Sequence, residues 1–152
     1  MVSVYVDVDS QRPMFSCDMT IKHLLTFHSY QRALIKVAHR LLKPGGRMIF
    51  STCTFNPKEN EEQVAWILEK FKDMELENLR ERLPYAKEKI PIKNIHFDSI
   101  EDLDLDEPKS IPVSPSTIQQ INQSTLRFDP GNDICFKDDT IGFYISSFVK
   151  KM

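Results

Sequence analysis

Leu41-Leu42-Lys43-Pro44-Gly45-Gly46, followed by the apolar run Met48 to Phe50 and then by Asn56-Pro57, leaves this chain few ways to fold. Proline and glycine close one helix, the apolar run suits a short buried strand, and asparagine before proline opens a second helix. Between strand and second helix stands Ser51-Thr52-Cys53-Thr54. A cysteine at the end of a buried strand can expose its sulfur while the backbone beneath it stays rigid.

The flanking patterns extend this module. From Tyr30 to Leu42, the residues Leu34, Val37, Ala38 and Leu41 recur at three- and four-residue intervals, which predicts an amphipathic helix. Arg32, Lys36, His39, Arg40 and Lys43 would form its basic, exposed side, with Lys43 complementing the dipole. Arg47 to Ser51 is too short and apolar for an exposed strand, so a central place in a sheet with helices on both sides is expected. Asn56 is an N-cap, Pro57 fits the first turn and Glu59 completes a capping box. Val64, Ile67, Leu68 and Phe71 mark the buried stripe of the second helix, with Glu59, Glu61, Glu62 and Glu69 off it. Helix and strand alternate, and the class is α/β.

The rest of the chain is less periodic. Met1 to Asp9 alternates like a single strand, and Leu76 to Leu83 reads as a short strand and loop. Asn94 to Pro115 carries the acidic run Glu101 to Glu107, which predicts an exposed or mobile acidic loop near residues 98–115. Ser124 to Phe128 and Thr140 to Val149 read as two strands joined through Pro130-Gly131-Asn132-Asp133. They would add a terminal antiparallel hairpin to a parallel sheet.

With 152 residues, 41% of them hydrophobic, the chain is sized for one domain. A net charge of −2 supplies no global field toward nucleic acid, so a polyanionic partner would need a local basic patch. Cys17, Cys53 and Cys135 are odd in number and lack metal-ligand spacing, which favours a reducing compartment, the cytoplasm ahead of the nucleus. No apolar run is long enough to span a membrane, and Met1 to Asp9 is acidic where a signal peptide is basic.

Several side chains invite chemistry, each with a plainer reading beside it. Cys53 is either a small buried hydrophobe or a nucleophile whose thiolate is favoured by the helix start that follows. Asn60, Glu61 and Glu62 follow it closely, but acids in a first turn also complement the helix dipole. His39 falls on the predicted solvent side, and His23, His28 and His96 lack metal spacing. Asp7 and Asp9 are either strand-end carboxylates or terminal polar residues. Arg32, Lys36, Arg40, Lys43 and Arg47 are either solvated helix charge or phosphate contacts. Lys43-Pro44-Gly45-Gly46 precedes a strand and lacks the order of a phosphate loop, and the glycines at 45, 46, 131 and 142 form no Gly-x-Gly-x-x-Gly.

Taken together, Tyr30-Gln31-Arg32, Leu41 to Gly46, Ser51-Thr52-Cys53-Thr54 and Asn56 to Val64 closely resemble the C-terminal half of the catalytic domain of the Nop/Sun, or RsmB, family of RNA cytosine-5 methyltransferases. Gln11-Arg12-Pro13, Arg127-Phe128-Asp129-Pro130 and Asp139 to Tyr144 look most like transfer-RNA methyltransferase members. The resemblance runs from residue 11 to residue 152, after a divergent segment 1–10. It implies part of a class I, Rossmann-like fold using S-adenosylmethionine, with RNA, above all tRNA, as partner and no membrane.

In that family the cysteine matching Cys53 attacks C6 of cytosine so that C5 accepts a methyl group. Arg12, Arg32 and Lys36 become candidate RNA contacts. The family's second cysteine would fall in Val6 to Ser10, where this sequence has none, and Cys17 does not match it. The cofactor-binding residues lie mostly upstream in the family. The expectation is a chain that supplies a nucleophile but lacks autonomous methyl transfer and can self-associate through an exposed sheet edge. The contrasting expectation is a non-catalytic fragment that binds RNA or protein.

Overall fold

The computed structural model describes residues 3–8, 21–83, 85, 90–102, 109–129 and 142–152. Among them, the main sheet runs β1 (Ser3–Val8), β2 (Arg47–Thr52), β7 (Phe143–Lys150), β3 (Met74–Leu76), and β6 (Leu126–Phe128) also pairs with β7. β1 and β2 are parallel, from Ser3 opposite Arg47 to Val8 opposite Thr52. β7 then lies antiparallel to β2, and its far edge is shared by β6 at one end and β3 at the other. The expected closing hairpin of β6 and β7 is present, although β6 begins at Leu126 because Ser124 still belongs to a helix. β1 ends the sheet, with no further strand beside it among the described residues.

β2 is central, as its apolar run predicts. Met48, Phe50 and Thr52 point into the core, and across the pair they meet Phe148, Ser146 and Tyr144. Two long helices cover this one face: α1 (Ile21–Leu41) and α2 (Glu61–Lys70) share a core in which Ile35, Ala38, Leu42, Val64, Trp66 and Ile67 surround Met48 and Phe50. The other face carries a smaller cluster, in which Leu79 of the short helix α3 (Leu79–Arg82) and Ile90 pack on Leu126, with Ile145 against them. Helical cover on both sides was expected, and it is strongly unequal.

The buried face of α1 differs from the predicted stripe. Val37 is 50% exposed and Leu41 67% exposed, whereas His28, Gln31, Arg32, Ile35 and Ala38 face inward and Leu42 follows just beyond the helix. The sequence offers overlapping stripes one residue out of phase. Of the polar groups on the face that wins, Arg32 finds partners on other elements, whereas His28 Nε2 and Gln31 Oε1 are buried without a hydrogen-bond partner among the described residues. Arg32, predicted to be exposed, is only 3% exposed. Its Nε donates to Gln63 Oε1 at 3.2 Å and its Nη1 to the Glu101 carbonyl at 2.5 Å, with the guanidinium 4.9 Å from the Trp66 ring centre. His39 is also drawn off the solvent side, stacked on Phe71 at 4.1 Å with Nε2 2.9 Å from Asp73.

The region from Asn94 to Pro115 is not simply an exposed loop. Its described residues form a hairpin of β4 (Ser99–Asp102) and β5 (Lys109–Pro112), with Ile100 1% exposed in the main core. Residues 103–108, in the middle of the acidic run, lie outside the described residues. Helix α4 (Pro115–Ser124) follows. Its start signal is legible in hindsight: Ser114 accepts from the Thr117 amide at 3.2 Å, and Pro115 takes the first turn. Likewise Leu76 to Leu83 contains α3, capped by Asn78, in place of a loop.

The corner before α3 is tied down by charge. Glu77 receives Arg47 at 2.6 and 2.8 Å, Arg82 at 2.6 Å and the Ser147 hydroxyl at 2.5 Å. Chiefly through the Arg47 hydrogen bonds, its carboxyl is held down to about 2. A carboxyl lowered on folding stabilises the fold above its unfolded value near 4.5, and that stability is lost as pH falls toward 2. Glu77→Gln is expected to flatten acid unfolding across that window, by roughly 2–3 kcal/mol after allowance for screening, as read from urea midpoints against pH. Ile100→Ala is expected to cost about 2–5 kcal/mol in urea unfolding, where an undocked loop residue would cost close to nothing.

Candidate active site

The parallel strands β1 and β2 end level, Val8 beside Thr52, and Cys53 follows directly. Crevices outside the carboxyl ends of parallel strands are where α/β sheets hold ligands. Cys53 is half-buried at that edge.

Side-chain hydrogen bonds shape the turn around it. The buried Thr52 hydroxyl donates to Asn60 Oδ1, and Asn60 Nδ2 donates to the Thr54 carbonyl at 2.8 Å. One amide therefore grips the residues on both sides of the cysteine. The Asn56 amide donates to Thr54 Oγ1 at 3.1 Å, and Asn56 Oδ1 caps the 3-10 turn Pro57–Glu59 by accepting from the Lys58 amide at 3.1 Å. The cap is thus as predicted, but it serves the 3-10 turn, and α2 starts only at Glu61. The expected capping box takes another form: Glu59 accepts from the Asn56 side chain at 3.1 Å, since the Asn56 backbone amide is already engaged by Thr54.

Glu59 and Glu61, predicted to lie off the buried face, are both buried. Burial raises the Glu59 carboxyl above its ordinary value, opposed by hydrogen bonds from Asn56 and Thr54. Glu61 takes a two-pronged contact from Arg127 of β6, Nε at 2.9 Å and Nη2 at 2.7 Å. The same guanidinium donates Nη1 to the Phe55 carbonyl at 3.1 Å and lies 5.9 Å from the Tyr144 ring centre. Burial lowers the Arg127 pKa, but hydrogen bonds and charge from Glu61 outweigh it and leave the cation favoured. Gly142, at φ +96°, leaves space that the Phe55 ring fills. Sequence reasoning missed the Arg127–Glu61 pair; the available signal was a charge inside the short apolar strand Leu126-Arg127-Phe128.

The other candidates scatter. Arg32 is buried in structural contacts, and Lys36 is partly exposed with Nζ 5.9 Å from the Trp66 ring centre. Arg12, Asp9, Cys17 and Cys135 lie outside the described residues. His28 is buried, and that burial, with Arg32 and Lys58 nearby, pushes its pKa down to about 4. Among the described residues no three potential ligands gather for a metal, and no helix is long and apolar enough to cross a membrane.

The turn at Gly45 and Gly46 bonds to Lys150 at the amino end of β2, the opposite end from Cys53. Two cavities, of about 560 and 610 Å³, lie beside the β4–β5 hairpin and α4, and Cys53 lines neither. Asn60→Ala is expected to strand the Thr52 hydroxyl and Thr54 carbonyl, costing about 1–3 kcal/mol in urea unfolding.

Comparison with known proteins places these features in context. The family described as 16S rRNA methyltransferase RsmB/F matches residues 8–99. The tRNA (cytosine(72)-C(5))-methyltransferase NSUN6 of Mus musculus is 32% identical over 142 residues, 92% of this chain, and that of Homo sapiens 31% identical over 140 residues, also 92%. The chain spans only 28% and 29% of the lengths of these relatives. A methyltransferase homolog from Pyrococcus horikoshii superposes with a TM-score of 0.56 at 24% identity, covering 99% of this chain and 39% of that one. The structure of NSun6 from Pyrococcus horikoshii with SFG gives 0.50 at 24% identity, covering 89% and 25%. The mixed α/β fold is that of class I S-adenosylmethionine methyltransferases, as the family resemblance implies.

Proposed function

The chain belongs to the RsmB/F family of RNA (cytosine-5)-methyltransferases, and from that premise we propose that Cys53 is the nucleophile of a cytosine-methylating site acting on RNA, with tRNA the favoured substrate. One observation carries this reading: a half-buried cysteine at the carboxyl end of a parallel strand, with both neighbours held by the Asn60 amide. A thiolate adding to C6 forms a carbon–sulfur bond and moves electron density to C5. Once C5 has gained its methyl group, loss of the C5 proton drives electrons back and expels the thiolate. S-adenosylmethionine supplies that methyl group in the family reaction. No step at the donor is assigned to this chain's residues.

Phosphate contact is assigned to Lys36 and Arg12, since the Arg32 guanidinium is committed to Gln63 and Glu101. A second reading, a non-catalytic fragment that contacts RNA or protein, is favoured by coverage, since the chain spans 28% and 29% of the lengths of the NSUN6 relatives. Self-association through the outer edge of β1 fits either reading.

Two measurements on the purified chain separate these readings. Incubation with tRNA and methyl-labelled S-adenosylmethionine is expected to transfer negligible label, and robust transfer would show that the chain builds a donor site after all. Iodoacetamide is expected to modify Cys53 faster than Cys17 or Cys135 at neutral pH. If Cys53 is the slowest of the three, it is a core thiol and the nucleophile assignment fails.

A further inference from the structure

We propose that Arg127 is a positioning residue for the Cys53 thiol, acting from β6 through the carbonyl of Phe55. The inference rests on the reading of Cys53 as nucleophile and adds to it a residue 74 positions away in sequence, 127 minus 53.

The register makes the link direct. Arg127 stands opposite Tyr144, and Tyr144 opposite Thr52, so the three share one face in a row across β6, β7 and β2. The row ends at the residue before Cys53. Glu61, from the first turn of α2, meets the other end of the row and satisfies the guanidinium charge through two prongs. Charge balance is complete with that contact. The third bond, Nη1 to the Phe55 carbonyl at 3.1 Å, therefore serves the turn.

That turn depends on side-chain donors. After β2 ends, the Thr54 carbonyl is taken by Asn60 and the Phe55 carbonyl by Arg127, where a strand or helix would use backbone amides. Asn60 grips the residues flanking Cys53, and Arg127 grips the next one along. With Arg127 8% exposed and Glu61 2% exposed, the Arg127–Glu61 contact is sealed from water and fixes the guanidinium, which reaches the Phe55 carbonyl through a partly buried bond. Lysine at this position would keep the charge, but a single ammonium lacks the planar fork that serves Glu61 and Phe55 together.

Two variants of the full chain test this, with Cys53→Ser as the labelling blank. Arg127→Lys keeps an ion pair with Glu61 and removes the third bond. The double variant Arg127→Met/Glu61→Met replaces the buried pair with apolar groups of similar size, an exchange that leaves a buried pair's stability contribution near neutral. Iodoacetamide modification of Cys53 is followed by peptide mass spectrometry, with urea unfolding and amide exchange of residues 53–60 measured in parallel. Release of the turn is expected to raise the Cys53 rate at least fivefold in both variants, with faster exchange confined to 53–60. Rates within twofold of the parent, or rates that rise only in step with lost global stability and with exchange throughout β2, would overturn the proposal. Because the readout is a ratio of variant to parent, it stands apart from the nucleophile reading, which fails separately if the parent thiol is the least reactive of the three.

Discussion

The stretch after β2 carries its shape in two buried side chains, the Asn60 amide and the Arg127 guanidinium, because neither sheet nor helix hydrogen bonds reach the carbonyls of Thr54 and Phe55. Both bonds are partly buried, and backbone carbonyls drawn away from water require donors. Here those donors come from the start of α2 and from β6, so the Cys53 turn takes its geometry from elements on either side of it. The 3-10 turn, the delayed start of α2 and the inward-facing Glu61 all follow from placing these partners within reach.

Charge is used inside this fold as a connector. Arg32 joins α1 to Gln63 of α2 and to the β4–β5 hairpin, and Arg127 joins β6 to α2 and to the cysteine turn. A buried guanidinium is costly unless its donors are met, and each is met by groups from at least two other elements. Such contacts specify which elements meet more than they add stability. Glu77 plays a similar part at the corner between β3 and α3, with partners on β2, α3 and β7. Arg32 of α1 follows this logic: it faces inward while Val37 and Leu41 stay exposed, and Gln63 and the Glu101 carbonyl meet its donors.

Much of the architecture was legible. The Pro44-Gly45-Gly46 break, the central strand ending at Thr52, the Asn56-Pro57 start and the antiparallel return of β7 follow from turn chemistry and apolar runs within a few residues. The family was legible from the same segments. What local patterns missed were elements stabilised from a distance. The acidic stretch reads as solvated, yet Ile100 is buried in the core with Ile111 packed against the same cluster, and isolated isoleucines among polar residues offer no periodicity to detect. Ser114-Pro115 is a helix start overshadowed by that loop reading.

By itself the sequence determined the order helix, turn, strand, cysteine, capped helix, since glycine, proline and asparagine act on the backbone within one or two residues of themselves. It also determined that a thiol stands at the end of the central strand. Tertiary structure alone decided which charges are buried and what holds the thiol's turn. The partners of Arg32, Glu61 and Arg127 are 31 to 72 residues away, and which of them meet depends on strand register and helix phase. A one-residue shift in either would exchange the inward and outward sets of side chains.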